Sequence, residues 1–296
     1  MGHSEISCII PAFNEEYNLK VNVPLIFDVL AANDMLDRCE VIIADNRSTD
    51  GTVRLVQEEL PIVLEKRFGT SFNLGYNFVE EQGKFAAIRH TWDSRMCRDS
   101  NILVFKDADA ANHPETLVDV ITEIDGGYDL VSASRYLPES YTQRNEFRKF
   151  MSTHYVDIVN MLFDLKVYDQ GGFERKVSDY QCGLKAIRKA TWEDVSKYVD
   201  HYGGFFFDTP MIAWANALGH KVGEVAAPWD ESGHSKMNME KEAVHFLWEL
   251  YKLRKKLLGD DDGKQIVFPK IQVVISAAKY AAGMVCYRSS KYLLRK

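Results

Sequence analysis

The sequence predicts an α/β fold with a mostly parallel central sheet flanked by helices. Two observations lead there. Short apolar runs alternate with stretches of helical periodicity through the first half of the chain, the order that builds parallel sheets. Three of those runs also end on polar or acidic residues: Asn14 with Glu15, Asp45 with Asn46, and Asp107 with Asp109. In parallel sheets, ligands sit outside the carboxyl ends of the strands. Acids far apart in the chain are therefore expected on one rim.

Taken in order, Glu5 to Ile10 reads as a short strand ending at Pro11, and Tyr17 to Ala32 as a helix. Glu40 to Ala44 is a second buried strand, ending at Asp45. Turn and cap residues fill Asn46 to Thr52, a helix is expected through Leu60, and Pro61 to Leu64 reads as a third short strand. Asn101 to Lys106 is the fourth, Pro114 to Ile124 a helix, and Tyr128 to Ser134 a further strand. In the second half, Phe147, Phe150, Met151, Tyr155, Ile158 and Leu162 form a helical stripe, with Arg144, Arg148 and Lys149 crowding its start. Gly171 to Ser178 is a polar loop, Phe205 to Leu218 a buried helix with Asp208 near its start, and Lys221 to Ala226 a strand. There is no internal repeat, and Gly259 to Gly263 is the best linker candidate.

Composition narrows the class. With 46% apolar residues in 296, the chain can bury a sizeable core. Five cysteines, widely spaced and without a CxxC pair, argue against a disulfide framework or a thiolate zinc site and fit a reducing compartment. No stretch near the start has the shape of a signal peptide, so a cytoplasmic location is expected. The net charge is −7, yet the residues after Gly263 carry seven Lys or Arg and no acid. An acidic body of that kind excludes broad nucleic-acid binding, which needs a cationic surface.

Asp107-Ala108-Asp109 follows an apolar strand directly. Two carboxylates one small residue apart can share a hard divalent cation, Mg2+ or Mn2+, together with its bound phosphates. The bland alternative is a solvated acidic loop or a helix cap. What favours the metal is the company the motif keeps.

Ile9 to Glu16 (IIPAFNEE), Asp45 to Thr52 (DNRSTDGT), Gly83 to Arg89 (GKFAAIR) and Asp107-Ala108-Asp109 stand in an order and spacing that resembles glycosyltransferase family 2, of the GT-A (Rossmann-like) fold. Ser134-Arg135-Tyr136, the basic start of the helix at Arg148, Asp179 to Ala186 (DYQCGLKA), Phe207-Asp208 and Ser232 to Lys236 (SGHSK) resemble the dolichyl- and polyprenyl-phosphate mannose and glucose synthases in particular. The resemblance implies a catalytic domain over 1–240 and a C-terminal helical appendage over 241–296. It implies donor contacts from Pro11, Ala12, Phe13, Asn14, Glu15, Asp45, Asn46, Lys84, Arg89, Asp107, Ala108 and Asp109, with Asp107 and Asp109 holding the metal. Arg135, Arg148 and Lys236 would meet phosphate charge, the alternative for each being a surface ion pair. Departures from the pattern are Asn46 where a second acid is usual, Arg47 beside it, an unusual stretch over Phe68 to Gln82, and Ala111 two residues after the metal-binding acid.

The implied activity is inverting transfer of a hexose from a nucleotide sugar, of the GDP-mannose or UDP-glucose type, to a lipid phosphate. Such an acceptor is already anionic, so catalysis needs positioning and charge neutralisation. A soluble hydroxyl acceptor would need a general base, for which Asp179 and Asp208 are the candidates, Asp208 being equally readable as a helix cap. A sugar nucleotidyltransferase is disfavoured because residues 9–20 contain no glycine. A non-catalytic nucleotide-sugar scaffold is the remaining alternative. Finally, Ile271, Val274, Ile275, Ala278, Ala282 and Val285 form one helical face followed by Arg288, Lys291, Arg295 and Lys296. The segment 264–296 reads either as an amphipathic helix drawn to the cytoplasmic face of a membrane or as a helix packed on protein, in the body or in an oligomer contact.

Overall fold

The structure is a computed structural model and describes residues 4–109, 111–143, 145–199, 206–230 and 239–258. The Ser232–Lys236 loop with its Lys236, the Gly259–Gly263 linker and the segment 264–296 lie outside the described residues, as does Arg144.

Strand β1 (Ile6–Ala12) is followed by helix α1 (Glu16–Ala32) and strand β2 (Cys39–Asp45). Both strands are buried on both faces, as expected of central parallel strands. Pro11 lies inside β1. It is tolerated there because the ladder to the next strand on one side ends at Ile9, leaving Pro11 paired with Ala44 alone. A short helix α2 (Thr52–Arg54) runs through a π-helical turn, Leu55–Glu59, into α3 (Leu60–Phe68). The strand expected at Pro61 to Leu64 is therefore helix. Leu60 and Leu64 are buried while Ile62 and Val63 between them are exposed, a helical spacing, and Pro61 sits in the first turn of α3, directly after the π-helical turn. The third strand is instead β3 (Leu74–Phe78), at the sheet edge.

Next come α4 (Lys84–Trp92), β4 (Ile102–Lys106), α5 (Glu115–Asp125), β5 (Leu130–Ser134), the short β6 (Thr142–Gln143) and α6 (Glu146–Leu162). The chain continues through β7 (Lys166–Tyr168), β8 (Glu174–Lys176), β9 (Leu184–Arg188), α7 (Lys189–Val199), α8 (Asp208–Ala217), β10 (Val222–Ala226), β11 (Trp229–Asp230) and α9 (Met239–Leu258). Among the described residues, one sheet has the strand order β3-β2-β1-β4-β9-β5-β10-β7-β8, and β6 pairs with β11 separately.

The pairing is parallel except around β9 and β8. Strand β9 runs against both β4 and β5, with Leu184 opposite Lys106. Its reversal places its amino end, and the segment that precedes it, at the carboxyl ends of the parallel strands. Residues 178–183 are thus delivered to the same rim as Asp107.

Alternate side chains of the strands feed two cores. Cys8, Ile10 and Ala12 face the cluster that includes Leu19 and Phe27 of α1, Leu60 of α3 and Leu117 of α5. Ile9, Ile42 and Phe105 face the cluster that includes Trp92 of α4, Tyr155 of α6, Trp192 of α7 and Met211 of α8. Helix α9 joins this second core through Phe246, Leu250 and Leu253. The Phe246 ring lies 5.5 Å from that of Tyr155 and 5.6 Å from that of Phe206. The expected boundary at 240/241 falls inside this helix, whose apolar face completes the main core. Among the described residues no helix is long and apolar enough to cross a membrane.

Candidate active site

The rim is assembled from the carboxyl ends of β1, β2 and β4 and from the segment entering β9. Asn14, in the left-handed region at φ 55°, ties the first two ends together. Its N–H donates to Ser48 Oγ at 2.9 Å, and its Oδ1 accepts the Thr49 N–H at 2.7 Å. The Glu15 N–H donates to Thr52 Oγ1 at 3.1 Å, and the Glu16 carboxylate accepts the Gly51 N–H at 3.1 Å. Glu15 is itself the N-cap position of α1, and its carboxylate accepts from the Asn18 side chain. Phe13 is 49% exposed on this loop, while Ala12 is buried in the strand.

Asn46, expected among the donor contacts, has its amide engaged elsewhere. Its Nδ2 donates to the carbonyls of Val79 and Glu81, and its Oδ1 accepts the Gly83 N–H at 2.7 Å. Gly83 has φ 128°, a conformation that side chains other than glycine's avoid, and Asn46 thereby fixes the start of α4. Asn46 positions Lys84 from below the rim. Arg89 lies further along α4, 3.6 Å from Asp93.

Lys84 reaches Asp107, with Nζ 2.6 Å from Oδ1. Burial alone would lower the Lys84 pKa, but the carboxylates of Asp107, Asp208 and Asp109 together raise it, so the ammonium stays charged. The Asp107 N–H donates to the Gly183 carbonyl at 2.8 Å. The turn is pinned from the other side by Asn22 of α1, whose Nδ2 donates to the Ala108 carbonyl at 2.8 Å. Asp109 is mostly buried. Burial, reinforced by the charge of Asp107, pushes its carboxyl up to about 6, and its Oδ1 has no hydrogen-bond partner.

An orphaned, buried carboxylate oxygen beside a second carboxylate is what a divalent cation would relieve. Among the described residues no three His, Cys, Asp or Glu side chains converge as a metal cage. Asp107 and Asp109 are the residues that would hold such a cation.

The two base candidates are both buried in ion pairs. Asp208 is 3% exposed, and Lys185 Nζ lies 2.8 Å from its Oδ1 while also donating to the Cys182 carbonyl at 2.7 Å. Asp208 is not the cap of α8, a position held by Phe207, but the first residue inside it. Asp179 is gripped by Arg135, Nε to Oδ2 at 2.6 Å and Nη2 to Oδ1 at 2.8 Å, and it also accepts the Arg135 backbone N–H at 3.2 Å. Burial would raise the Asp179 carboxyl, but the guanidinium overrides it and holds the carboxyl below its ordinary value. Arg135 is 5% exposed, so the structure gives it Asp179 as its anionic partner in place of an exposed phosphate. Arg148 stands half-buried in the first turns of α6. Cys182 is buried and its thiol is pushed up to about 11, chiefly by burial, which fits a packed side chain and not a nucleophile.

Sequence reasoning gave no role to several residues of the site. Tyr76, Asn22, Lys106, Gly183 and Lys185 are scattered over three strands, a helix and a loop. Lys106 is fully inside, its ammonium donating to the Asn112 carbonyl at 2.7 Å, with its pKa lowered by burial. The strand residue Glu224 accepts the N–H groups of Ser178 and Asp179 and so fixes the loop that carries Asp179.

The family model for glycosyl transferase family 2 matches residues 7–195. The glycosyltransferase AglD of Haloferax volcanii is 23% identical over 242 residues, 81% of this chain and 35% of that protein, so the chain spans about a third of that relative's length. The dolichyl-phosphate beta-glucosyltransferase of Dictyostelium discoideum is 23% identical over 264 residues, covering 86% of this chain and 75% of that one. Among solved structures, glucosyl-3-phosphoglycerate synthase of Mycobacterium tuberculosis, in complex with Mn2+, UDP-glucose and phosphoglyceric acid, superposes with a TM-score of 0.54. That superposition has 16% identity over 90% of this chain and 85% of that one, a likeness of fold.

Proposed function

The chain belongs to glycosyl transferase family 2, and from that premise we propose that it moves a hexose from a nucleoside diphosphate sugar to a polyprenyl or dolichyl phosphate, by single displacement with inversion. The observation that carries this reading is the state of the buried charges at the rim. Lys84 and the Asp107–Asp109 pair are set to receive a diphosphate and its cation, while Asp179 is held by Arg135 and Asp208, its carboxyl raised by burial, is paired with Lys185 in the buried floor. A hydroxyl acceptor needs a free base within hydrogen-bond reach. A phosphate acceptor needs none, because its oxygen is anionic at neutral pH. The resemblance to a dolichyl-phosphate enzyme over 86% of this chain supports the same acceptor class.

In this reading the rim loops of β1 and β2 seat the nucleoside, with Phe13 offering a flat apolar surface. Lys84 takes donor phosphate charge. Arg148 and Lys236 are proposed to meet the acceptor phosphate. Arg135 and Asp179 keep the 178–183 segment in place beneath the reacting groups. A divalent cation, Mg2+ or Mn2+, held by Asp107 and Asp109, would supply neutralisation of the departing diphosphate. The low exposure of the charged floor strengthens each of these electrostatic contacts, because little water competes for them. A lipid-phosphate acceptor also places the work at a membrane surface, for which the basic segment 264–296 is the proposed contact.

The test has two arms. Thermal unfolding is followed with UDP and with GDP, each with and without Mn2+, in wild type and Asp109→Ala. A ligand at 100 times its dissociation constant stabilises by about 2.7 kcal/mol. A metal-dependent shift lost in Asp109→Ala is expected, and no shift with either nucleotide would count against the donor site. In the second arm, labelled nucleotide sugars are offered polyprenyl phosphate or soluble sugar hydroxyls. Transfer to the hydroxyls alone would overturn the acceptor assignment.

A further inference from the structure

At the nucleoside end of the rim, Ala12, Asp45 and Phe78 stand in register across β1, β2 and β3. Side chains in register on neighbouring strands share a face. Asp45 is therefore the centre of a row, with the loop residue Phe13 beyond one flank and Phe78, 56% exposed, on the other. An acid with the exposed Phe78 in register beside it, and the exposed Phe13 following its other strand neighbour Ala12, suits the floor of a base pocket. Yet Asp45 itself is only 1% exposed.

Tyr76 accounts for that burial. It lies two residues before Phe78 on the same face of the edge strand, and its hydroxyl donates to Asp45 Oδ2 at 3.0 Å. The other carboxylate oxygen, Oδ1, accepts the Ser48 N–H at 3.0 Å. Both oxygens of Asp45 are thus engaged. The neighbouring side chain that could offer a donor and an acceptor together, Asn46, is fixed on the Val79 and Glu81 carbonyls and the Gly83 N–H. Tyr76, which covers Asp45, is itself half-buried. The one proton of its hydroxyl is committed to Asp45, so toward a further partner that hydroxyl can act only as an acceptor.

A single acceptor of this kind discriminates among bases. Uracil presents one ring N–H between two carbonyls. Guanine presents a ring N–H and an amino group side by side, a pair suited to both oxygens of a free carboxylate. Cytosine presents an unprotonated ring nitrogen at the position of the uracil N–H, which an acceptor repels. We propose that Tyr76, backed by Asp45, reads the base as a single-donor edge and selects a uridine diphosphate sugar as the donor. This rests on the nucleotide-sugar reading above and adds the base to it. Tyr76 is then a specificity-determining residue, and the exposed rings of Phe13 and Phe78 flank the base.

The experiment is calorimetric titration of the full chain, in Mn2+, with UDP, CDP and GDP and with inorganic pyrophosphate as the probe without a base. Wild type and Tyr76→Phe are compared, with thermal unfolding of each as the check on folding. Wild type is expected to bind UDP at least about tenfold more tightly than GDP or CDP, since a site built around a hydrogen bond rejects partners that cannot make it. Tyr76→Phe uncovers Asp45 Oδ2, so its UDP affinity should fall while its GDP affinity rises, narrowing the UDP to GDP ratio about tenfold or more. GDP or CDP binding as tightly as UDP in wild type would overturn the inference and leave the donor site standing, and so would an unchanged ratio in a folded Tyr76→Phe. If no nucleotide binds to folded wild type, the nucleotide-sugar reading itself falls. Should Tyr76→Phe fail to fold, the wild-type series decides alone.

Discussion

Lys84 Nζ lies 2.6 Å from Asp107 Oδ1, so a side chain from α4 holds positive charge against the carboxylate that a metal ion would use. The same ammonium faces Asp208 and Asp109. In the proposed function Lys84 would therefore both compete with the cation for Asp107 and offer charge to a diphosphate. Replacing it by methionine keeps the stem and removes the charge. Hydrogen bonds to charged groups contribute roughly 1.5–3 kcal/mol, so Lys84→Met should weaken nucleoside diphosphate binding about tenfold or more. Binding of Mn2+ alone should tighten, because its competitor is gone. Separate calorimetric titrations with Mn2+ and with nucleotide check this. Parallel weakening of both would mean that Lys84 merely supports the turn.

Gly183 is the second close neighbour of Asp107. A methyl group built on it would lie 1.9 Å from Asp107 Oδ2, closer than any real contact, and the Gly183 carbonyl also receives the Asp107 N–H. Gly183→Ala must therefore push the carboxylate aside. A misplacement of about 1 Å at a reacting centre can cost on the order of 10^2-fold in rate. We expect a loss of that size in turnover with only a small change in unfolding temperature, because the displaced group is a side chain at the rim and not part of the core. A large fall in stability with normal specific activity of the folded fraction would count against this account.

The parts of the site that were legible in the sequence are those carried by local pattern. An apolar run ending in Asp107-Ala108-Asp109 places those acids at a strand end without further help, and the same holds for Asp45 after its buried strand. Pro61 to Leu64 was not legible, because four apolar residues in a row carry neither period, and Leu60 and Leu64 settle the matter only through what they pack against. The reversal of β9 was equally hidden. Nothing in Leu184 to Arg188 says that its neighbours are β4 and β5 or that it runs against them. Gly183, Lys185 and the Asp179–Arg135 pair all reach the site through that reversal. Asn22 reads as an ordinary polar residue, and Asn46 as a donor contact. Their work is to satisfy backbone groups, Asn22 across 86 residues and Asn46 in the loop before α4, and it shows only once the chain is folded.

The Arg135–Asp179 pair is the strongest candidate for a structural role inside the site. It is bidentate, with the two side chains 5% and 1% exposed. Removing one partner of a buried pair leaves the other charge uncompensated, at a cost of about 3–5 kcal/mol. Asp179→Asn should lower the unfolding free energy by that order in urea denaturation. Arg135→Lys should cost less, because the ammonium keeps the positive charge but cannot reproduce the two-pronged contact. The double variant Arg135→Met with Asp179→Leu should regain part of the loss, since it buries no charge. A double variant no more stable than the singles would show that the surrounding polar groups, and not the charge, set the cost.

Glu224 supplies a pH dependence with a definite sign. It is 1% exposed, and burial pushes its carboxyl up to about 7, against the pull of Arg175 and of the Ser178 and Asp179 N–H groups. In the unfolded chain it titrates near 4.5. Between those values the folded protein holds a proton that the unfolded chain has released. Stability from this group is therefore fully present below about pH 4.5 and is lost as the pH rises through about 7. Glu224→Gln removes the titration while keeping the shape. Subtracting the unfolding free energies of Glu224→Gln from those of wild type cancels the other carboxylates. The difference should fall by roughly 3 kcal/mol between about pH 5 and pH 8, since each tenfold difference in proton affinity between the folded and unfolded chain is worth about 1.4 kcal/mol. A difference that stays flat would mean that Arg175, whose Nη2 lies 2.7 Å from Glu224 Oε2, offsets burial completely. Because Glu224 fixes the N–H groups of Ser178 and Asp179, the same variant should also loosen the Arg135–Asp179 pair, read as a further loss of stability in Glu224→Gln that Asp179→Asn no longer adds to.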